Sequence, residues 1–237
     1  MKKFELLREL GKYPVFNLKI ASDIIKKSRE YTKLVVYRLK KDGLIYEIEK
    51  NKYAMNKDIF TIASNIVWPS YISFWTALSH YHLTEQIPHV IFVITTRRKR
   101  RKEIVVGNNK IIFVVVKPKY FFGYIKERYD NYDIFIAEKE KALLDSALFK
   151  KVSFSEISEM IGDGITDINV DLLIEYLLKI QNKALIKRFG FLLEKHDVDR
   201  YNSLKKFIDY KYVPLDYSFQ AKGKKNVKWR IIENVKL

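Results

Sequence analysis

Hydrophobic residues in the first sixty positions recur at the spacing of short amphipathic helices separated by turn and capping residues. The first group is Leu6, Leu7 and Leu10. Gly11 follows directly, which predicts a short helix ended by a glycine in the left-handed conformation. Asn17 is placed to cap a second helix that carries the apolar residues Ile20, Ala21 and Ile24. Ser28 is placed to cap a third helix, which runs to about Lys41.

The third helix is amphipathic. The pattern predicts a buried stripe formed by Leu34, Val35 and Leu39. Polar residues repeat every four positions on another face, namely Arg29, Lys33, Tyr37 and Lys41. We therefore expect this helix to expose a basic face rich in hydrogen-bond donors.

A two-stranded hairpin follows the third helix. Asp42 and Gly43 break the helix, residues 44–48 read as a strand, and residues 52–55 read as its partner across a turn at 49–51. Helix, turn, helix and hairpin in this order are typical of a winged helix-turn-helix, which places its third helix in the DNA major groove. We therefore predict a DNA-binding domain over residues 1–60.

This prediction assigns DNA contacts, because Arg, Lys, Ser, Thr and Tyr side chains contact base edges and phosphates. The residues expected to face the groove are Arg29, Thr32, Lys33 and Tyr37. Those expected to contact phosphates are Ser28, Arg38, Lys41, Lys50 and Lys52.

The remaining chain mixes strand and helix patterns. Ser70 is expected to cap a helix that ends near His82, and Pro88 precedes an apolar strand over 89–95. Two more strands are predicted at 110–116 and 132–137. Helices are predicted at 138–149, 155–161, 169–179 and 183–195. The fold class is thus α+β, with the winged helix-turn-helix followed by a larger mixed α/β domain over 66–237 that has a small sheet and several helices.

Charge favours a polyanionic partner. The 237 residues carry a formal net charge of +17, of which residues 1–60 contribute +7. An unbroken basic run provides candidate additional nucleic-acid contacts: Arg97, Arg98, Lys99, Arg100, Arg101 and Lys102. A basic tail contains Lys222, Lys224, Lys225, Lys228 and Arg230. Residues 152–178 are instead acidic and contain no Lys or Arg.

Composition also limits the chemistry. The chain has no cysteine, and no stretch is typical of a signal peptide or a membrane span, so we expect a cytoplasmic protein with no membrane partner. No phosphate-binding glycine loop is present, and His80 and His82 are spaced for opposite sides of a helix, so we expect no cofactor and no metal.

Two groups of candidate functional residues have a favoured structural interpretation. The carboxylates Glu138, Glu140 and Asp145 are interpreted as charges that complement a helix dipole. Aromatic residues beside Lys117 and Lys119 have the chemistry to stack on unpaired bases, although packing is favoured. They are Tyr120, Phe121, Phe122 and Tyr124.

The order of several segments resembles that of one family. These segments are SREYTKLVVYRLKKDGLIYEIEKNKYAM, PSYISFWTALSHYHLTEQIPHVIFVIT, YDIFIAEKEKALLDSALF, RFGFLLEKHD and KWRIIENV. Together they resemble the AbiEi-type antitoxins of type IV toxin-antitoxin and phage-defence systems. The resemblance implies a non-enzymatic transcriptional regulator that binds double-stranded DNA at its own operator. It also implies a C-terminal domain that counteracts a nucleotidyltransferase-like toxin.

Two alternatives remain open. A nucleic-acid-processing enzyme would use the basic clusters to guide substrate to an acidic site around Asp133, Glu138 and Glu140. A protein-interaction module would dock a basic toxin through the acidic region 152–178.

Overall fold

The fold of the chain is mixed α and β, as the pattern predicts. The structure is a computed structural model and describes residues 2–86 and 89–237, so the prediction at Pro88 lies outside the described residues. Contacts divide the chain into two compact units, one from Met1–Ile72 and Pro88–Ile136, the other from Ser73–Ile87 and Ala137–Leu237. The predicted domains 1–60 and 66–237 divide the chain differently and stay a prediction.

Three helices open the first unit: α1 (Lys3–Leu10), α2 (Leu18–Ile25) and α3 (Arg29–Lys41). Both predicted caps are confirmed, because the side chain of Asn17 accepts a hydrogen bond from the Ile20 amide at 3.0 Å and that of Ser28 accepts one from the Tyr31 amide at 3.3 Å. The prediction for Gly11 is wrong. Its φ is −64°, which is right-handed, and its N–H donates to a carbonyl of the preceding turn, so the left-handed freedom of glycine is not used here.

The predicted hairpin is confirmed. It consists of β1 (Tyr46–Glu49) and β2 (Lys52–Ala54), which pair antiparallel. Residues 44 and 45 precede the first strand instead of belonging to it. A backbone bridge between Phe16 and Tyr53 adds the segment before α2 to this hairpin. The buried cluster beneath the helices and hairpin is Leu6, Leu10, Phe16, Ala21, Val36, Leu39, Ile45 and Tyr53.

A six-stranded sheet follows the helix α4 (Ile59–Asn65). Its strands are β3 (Ser70–Ser73), β4 (Val90–Thr95), β5 (Glu103–Val106), β6 (Asn109–Val115), β7 (Tyr124–Tyr129) and β8 (Tyr132–Ala137). They lie in the order β5-β6-β4-β3-β8-β7, with β4 parallel to β6, β3 parallel to β8 and β5 antiparallel to β6. The three strands predicted from apolar runs are β4, β6 and β8, and the sheet confirms them.

Ser70 does not cap a helix, contrary to the prediction. It begins β3, in which all four residues are buried, and its hydroxyl donates to the Val67 carbonyl at 2.6 Å. The helix begins only at Trp75. A strand buried on both faces lacks the alternation of polar and apolar residues that identifies a half-exposed strand, so its sequence resembles the start of the helix that follows.

The second unit is mainly helical. Its helices are α5 (Trp75–His80), α6 (Lys139–Leu148), α7 (Phe154–Gly164), α8 (Val170–Ile180), α9 (Lys183–Lys195) and α10 (Tyr201–Leu204). The four long helices α6 to α9 match the predictions. A small sheet unites β9 (Val213–Pro214), β10 (Lys224–Asn226) and β11 (Ile231–Glu233). The buried ring of Trp229 packs against α9 at Gly190, where an added Cβ would lie 2.1 Å from the ring.

Candidate nucleic-acid interface

The outer face of α3 presents cations and a tyrosine to solvent. Arg29, Lys33, Tyr37 and Lys41 are all exposed, as their four-residue spacing predicts, and Tyr37 keeps 60% of its surface. Within residues 2–86 and 89–237, no hydrogen bond or ion pair engages the side chains of Arg29, Lys33 or Lys41, and Arg38 beside them is equally unengaged. These groups are therefore available to an external ligand.

Thr32 does not belong to that face. It is completely buried, and its hydroxyl donates to the Ser28 carbonyl at 3.0 Å. Thr32, Val36 and Leu39 form the buried stripe of α3, whereas Leu34, which was expected in the stripe, is 43% exposed. The predicted contact of Thr32 with a DNA groove is therefore wrong, because its side chain does not reach the surface. The hydrogen bond of its hydroxyl to the backbone of the same helix satisfies this polar group inside the core.

The junction between α3 and the hairpin is fixed by local hydrogen bonds. Gly43 is left-handed at φ 69°, and the amides of Gly43 and Leu44 donate back to the carbonyls of Lys40 and Leu39 at 3.1 and 3.0 Å. The Lys40 ammonium also donates to the carboxylate of Glu47 on β1 at 2.5 Å. This contact raises the pKa of Lys40, first through the hydrogen bond and then through the charge of Glu47.

The two lysines of the hairpin are in different environments. Lys50 is exposed at the turn, and no hydrogen bond or ion pair to a described residue engages its ammonium. Lys52 is half-buried, and its ammonium donates to Glu49 at 3.0 Å and to the Ile66 carbonyl at 2.7 Å. Lys52 is thus committed inside the protein, and Lys50 alone of the two is available for a phosphate.

Asn51 shapes the tip of the hairpin. Its φ of 62° is left-handed, a conformation that asparagine tolerates better than most residues. Its side-chain oxygen accepts a hydrogen bond at 3.1 Å from the backbone amide of Leu18, which is the first residue of α2. The turn of the hairpin is therefore attached to the start of α2.

The basic loop (residues 97–102) joins β4 to β5. One of its lysines points inward: the Lys99 ammonium donates to both carboxylate oxygens of Glu49 at 3.0 Å and lies 4.6 Å from the ring centroid of Phe113. Arg97 donates through Nε to the Trp68 carbonyl at 3.3 Å. The other four cations of the loop are exposed, and their side chains make no hydrogen bond or ion pair with a described residue; they are Arg98, Arg100, Arg101 and Lys102.

Glu49 is held between two cations. Burial is the largest influence and tends to raise its pKa, but hydrogen bonds from Lys99 and Lys52 together outweigh it, so the pKa of Glu49 lies below its ordinary value. The carboxylate is thereby kept ionised and neutralised by its neighbours. It does not subtract from the positive charge that Lys50 and the loop arginines present to solvent.

The three carboxylates singled out in the second unit all have hydrogen-bond partners, and the dipole interpretation is wrong for one of them. Asp145 lies well beyond the first turn of α6, is completely buried, pairs with the buried ammonium of Lys141 and accepts from the Ser73 hydroxyl at 2.9 Å. Glu138 and Glu140 do lie at the start of α6. Glu138 accepts from the hydroxyl of Tyr176, and Glu140 accepts from the Asn169 amide at 2.7 Å.

Asp133 belongs to the first unit and is also engaged. Its carboxylate pairs with Lys126 at 2.7 Å and with Arg128 at 3.4 Å, and the hydrogen bond from Lys126 is the main cause that lowers its pKa. No group of three or more His, Asp or Glu side chains in the described parts of the chain is arranged to hold a metal ion. The acidic groups considered for catalysis are thus each occupied by partners of their own.

The aromatic residues after β6 pack against the sheet. The ring of Tyr71, which is completely buried, stacks on Tyr124 with centroids 4.8 Å apart and tilts against Phe121 at 5.2 Å. Tyr124 also meets Phe135 edge to face. These rings are engaged with one another, which supports the packing interpretation over stacking on bases.

Much of the basic tail is also engaged. Lys228 pairs with Glu194 at 2.8 Å and with Asp199 at 3.6 Å, while Lys225 and Arg230 lie over the ring of Tyr212.

No helix in the described residues is long and apolar enough to cross a membrane.

Comparisons with known proteins add no family assignment. A scan against models of protein families finds no match, and a search of curated proteins finds no significant match. The resemblance to AbiEi-type antitoxins therefore stays a prediction that depends on the segments quoted above.

Proposed function

We propose that this chain is a DNA-binding transcriptional regulator whose N-terminal segment is a winged helix-turn-helix. In this proposal α2, the turn at residues 26–28 and α3 form the helix-turn-helix, and the hairpin of β1 and β2 forms the wing. The proposal is supported by element order, by two capped helices and by the bridge that fastens the hairpin to the segment before α2.

The observation that carries the proposal is the exposed face of α3. Within the described residues, no hydrogen bond or ion pair engages the side chains of Arg29, Lys33 or Lys41, although ion pairs engage many other cations of the chain. Unpaired cations in a row along a helix repel one another, and a bound polyanion neutralises their charges. The row of cations therefore favours a polyanion as the ligand.

The burial pattern refines the proposed contacts. Arg29, Lys33 and Tyr37 are the residues for base edges in the major groove, because their side chains are exposed on one face of α3. The residues proposed to contact phosphates are Ser28, Arg38, Lys41 and Lys50. Thr32 and Lys52 leave the contact set, since their polar atoms bond inside the protein.

Fluorescence anisotropy tests this proposal. The full chain is titrated against a duplex of its own upstream DNA and against a scrambled duplex, at several salt concentrations. We expect the upstream duplex to bind at least about 1000-fold more tightly, as specific DNA-binding proteins do. If both duplexes bind with equal affinity, and if salt weakens both affinities equally, the interaction is only a nonspecific electrostatic attraction to DNA. That result would overturn the regulator proposal.

Variants of α3 test the assignment of residues. Arg29→Ala and Lys33→Ala should each weaken binding to the upstream duplex by about 5- to 150-fold, corresponding to about 1–3 kcal/mol. The matched control is Lys117→Ala, which removes the same charge from an exposed position outside α3 and the hairpin. If the α3 variants bind like the control, α3 is not the reading helix.

We further propose that the protein acts as the antitoxin of a type IV system, opposing a nucleotidyltransferase-like toxin without catalysing a reaction itself. The support for this role is the resemblance of its segments to AbiEi-type antitoxins. Co-expression with the product of the neighbouring gene should relieve that protein's growth inhibition, and a magnesium-dependent nuclease assay should show no cleavage. Cleavage that is lost in Glu138→Gln or Glu140→Gln would overturn this part and favour an enzyme.

A further inference from the structure

The basic loop and the hairpin tip are held together at one place. Lys99 and Lys52 donate to the same carboxylate, Glu49, which lies at the end of β1. The side chains of Lys99 and Glu49 keep only 9% and 17% of their exposure, so this ion pair is well shielded from solvent. A shielded, doubly hydrogen-bonded pair has a defined geometry, unlike the exposed ion pairs of the surface.

The attachment creates a basic cleft, defined here by Glu49, Lys50, Asn51, Arg100 and Arg101. Its volume is about 590 Å³. A second cleft of about 570 Å³ shares Glu49, Lys50 and Arg101 and extends along the hairpin to Lys40, Glu47 and Lys57. Lys50, Arg100 and Arg101 are exposed and have no hydrogen bond or ion pair to a described residue, and the single carboxylate of the cleft is neutralised by Lys52 and Lys99.

The chemistry of this cleft suits a phosphodiester. Arginine presents a planar fork of donors that matches two phosphate oxygens, and lysine adds a compact charge. The five residues that define the cleft are all polar or charged, whereas a hydrophobic ligand would require apolar side chains in the lining. Residues 97–102 provide five arginine and lysine side chains besides the inward-pointing Lys99, four of them unengaged.

We propose that the basic cleft binds the phosphate backbone of duplex DNA, beside the groove that α3 reads. The loop thus acts as an extension of the wing, and Glu49 is the positioning residue that holds it against the hairpin. This inference rests on the proposed DNA-binding function and adds a second contact surface, formed by Lys50, Arg100 and Arg101. Because these contacts are to phosphates, the cleft adds affinity without adding sequence preference.

The test compares the double variant R100A/R101A with wild type on the upstream and scrambled duplexes, by anisotropy at several salt concentrations. Each phosphate contact contributes about −0.9 to the slope of log affinity against log salt. We expect the double variant to reduce the magnitude of that slope by about 2 and to weaken binding to both duplexes by a similar factor of at least 10 at low salt. The ratio of the two affinities should stay unchanged.

Two further variants make the result specific. The control K117A/K119A removes two exposed charges elsewhere in the first unit and should keep the wild-type slope. The conservative variant R100K/R101K keeps both charges, so it should recover the slope while losing the forked hydrogen bonds. Since Arg100 and Arg101 are exposed, the variants should unfold at the wild-type temperature, which circular dichroism verifies.

The outcomes separate the two proposals. If R100A/R101A keeps the wild-type slope and affinity while Arg29→Ala loses binding, the cleft is not a DNA site and the proposed function stands. If R100A/R101A weakens binding to the upstream duplex but not to the scrambled duplex, the loop contacts bases and the assignment of phosphate contacts is wrong. If wild type binds neither duplex, the proposed function fails and the inference fails with it.

Discussion

Phe16 and Tyr53 exchange both of their backbone hydrogen bonds, each 2.8 Å long, and their ring centroids lie 5.8 Å apart. Phe16 precedes α2 and Tyr53 is the central residue of β2. The bridge therefore fixes the hairpin to the helical part of the first unit through one buried aromatic pair.

Phe16→Ala should destabilise the first unit by about 3–5 kcal/mol, because Phe16 is 1% exposed and its removal leaves a cavity. Urea unfolding followed by circular dichroism measures the effect. The matched control is Phe4→Ala, since Phe4 is 77% exposed and its loss should change the free energy of unfolding by no more than about 0.5 kcal/mol. Equal effects of the two variants would show that the aromatic pair does not fix the hairpin.

The two hairpin lysines should respond differently to substitution. Lys50→Ala removes an available phosphate contact, so it should reduce the magnitude of the salt slope of DNA binding by about 0.9 without changing stability. Lys52→Ala should keep the slope and lower the unfolding temperature, because it removes the hydrogen bonds to Glu49 and the Ile66 carbonyl. Anisotropy and thermal unfolding of both variants check this difference, and a reduced slope for Lys52→Ala alone would reverse the assignment.

Stability should depend on pH through Glu49. A carboxyl whose pKa is lowered by folding stabilises the native state above its unfolded-state pKa, and this contribution is lost as pH falls through the folded-state pKa. The pKa of Glu49 is lowered from 4.5, since the hydrogen bonds from Lys99 and Lys52 outweigh the opposing effect of burial. Glu49→Gln should therefore lower the unfolding temperature by a few degrees at pH 7, and its difference from wild type should shrink below about pH 4.5.

Thermal unfolding between pH 3 and pH 7 measures this dependence. Glu30→Gln is the control, because Glu30 is exposed on α3 and has no hydrogen bond or ion pair to a described residue. Its difference from wild type should be small at every pH. A constant difference for Glu49→Gln across the range would mean that its charge does not hold the basic loop.

Removing one partner of the buried ion pair in α6 should lower the free energy of unfolding strongly. Replacing both partners by apolar residues should lower it much less. Lys141 and Asp145 are both completely buried, so Lys141→Met leaves an uncompensated carboxylate and should cost about 3–5 kcal/mol. Lys141→Met combined with Asp145→Leu should recover most of that loss. Urea unfolding of the single and double variants measures the coupling, and a double variant less stable than Lys141→Met would contradict the expectation.

Several features that depend on local chemistry are predicted correctly, although Gly11 and Ser70 are exceptions. Asn17 and Ser28 cap their helices and Gly43 ends α3, because caps and left-handed glycines need only neighbouring backbone groups. The orientation of α3 was predicted only in part. The largest apolar residues suggested Leu34 for the core, whereas the buried positions include Thr32, whose hydroxyl bonds within its own helix.

The parts that depend on contacts distant in sequence were not predicted. The edge strand β7 carries charged residues at its centre, so it lacks the apolar runs that indicate β4, β6 and β8. The edge strand β5 has only four residues and begins with the exposed Glu103, so its apolar run is too short to indicate a strand. The basic run was recognised, but no pattern indicated that Lys99 points inward to Glu49, 50 residues earlier in the chain. The joining of the basic loop to the hairpin is therefore a result of the structure.

The contact between Gly190 and Trp229 bears on the order in which the protein folds on the ribosome. The second unit fills this part of its core only when Trp229 has been synthesised and has left the exit tunnel. By contrast, the buried cluster of the three N-terminal helices and the hairpin is complete once Tyr53 has emerged. Compact parts of a chain generally fold during synthesis as soon as their residues are available. The buried cluster of the N-terminal elements is therefore complete while α9 still lacks Trp229 as a packing partner.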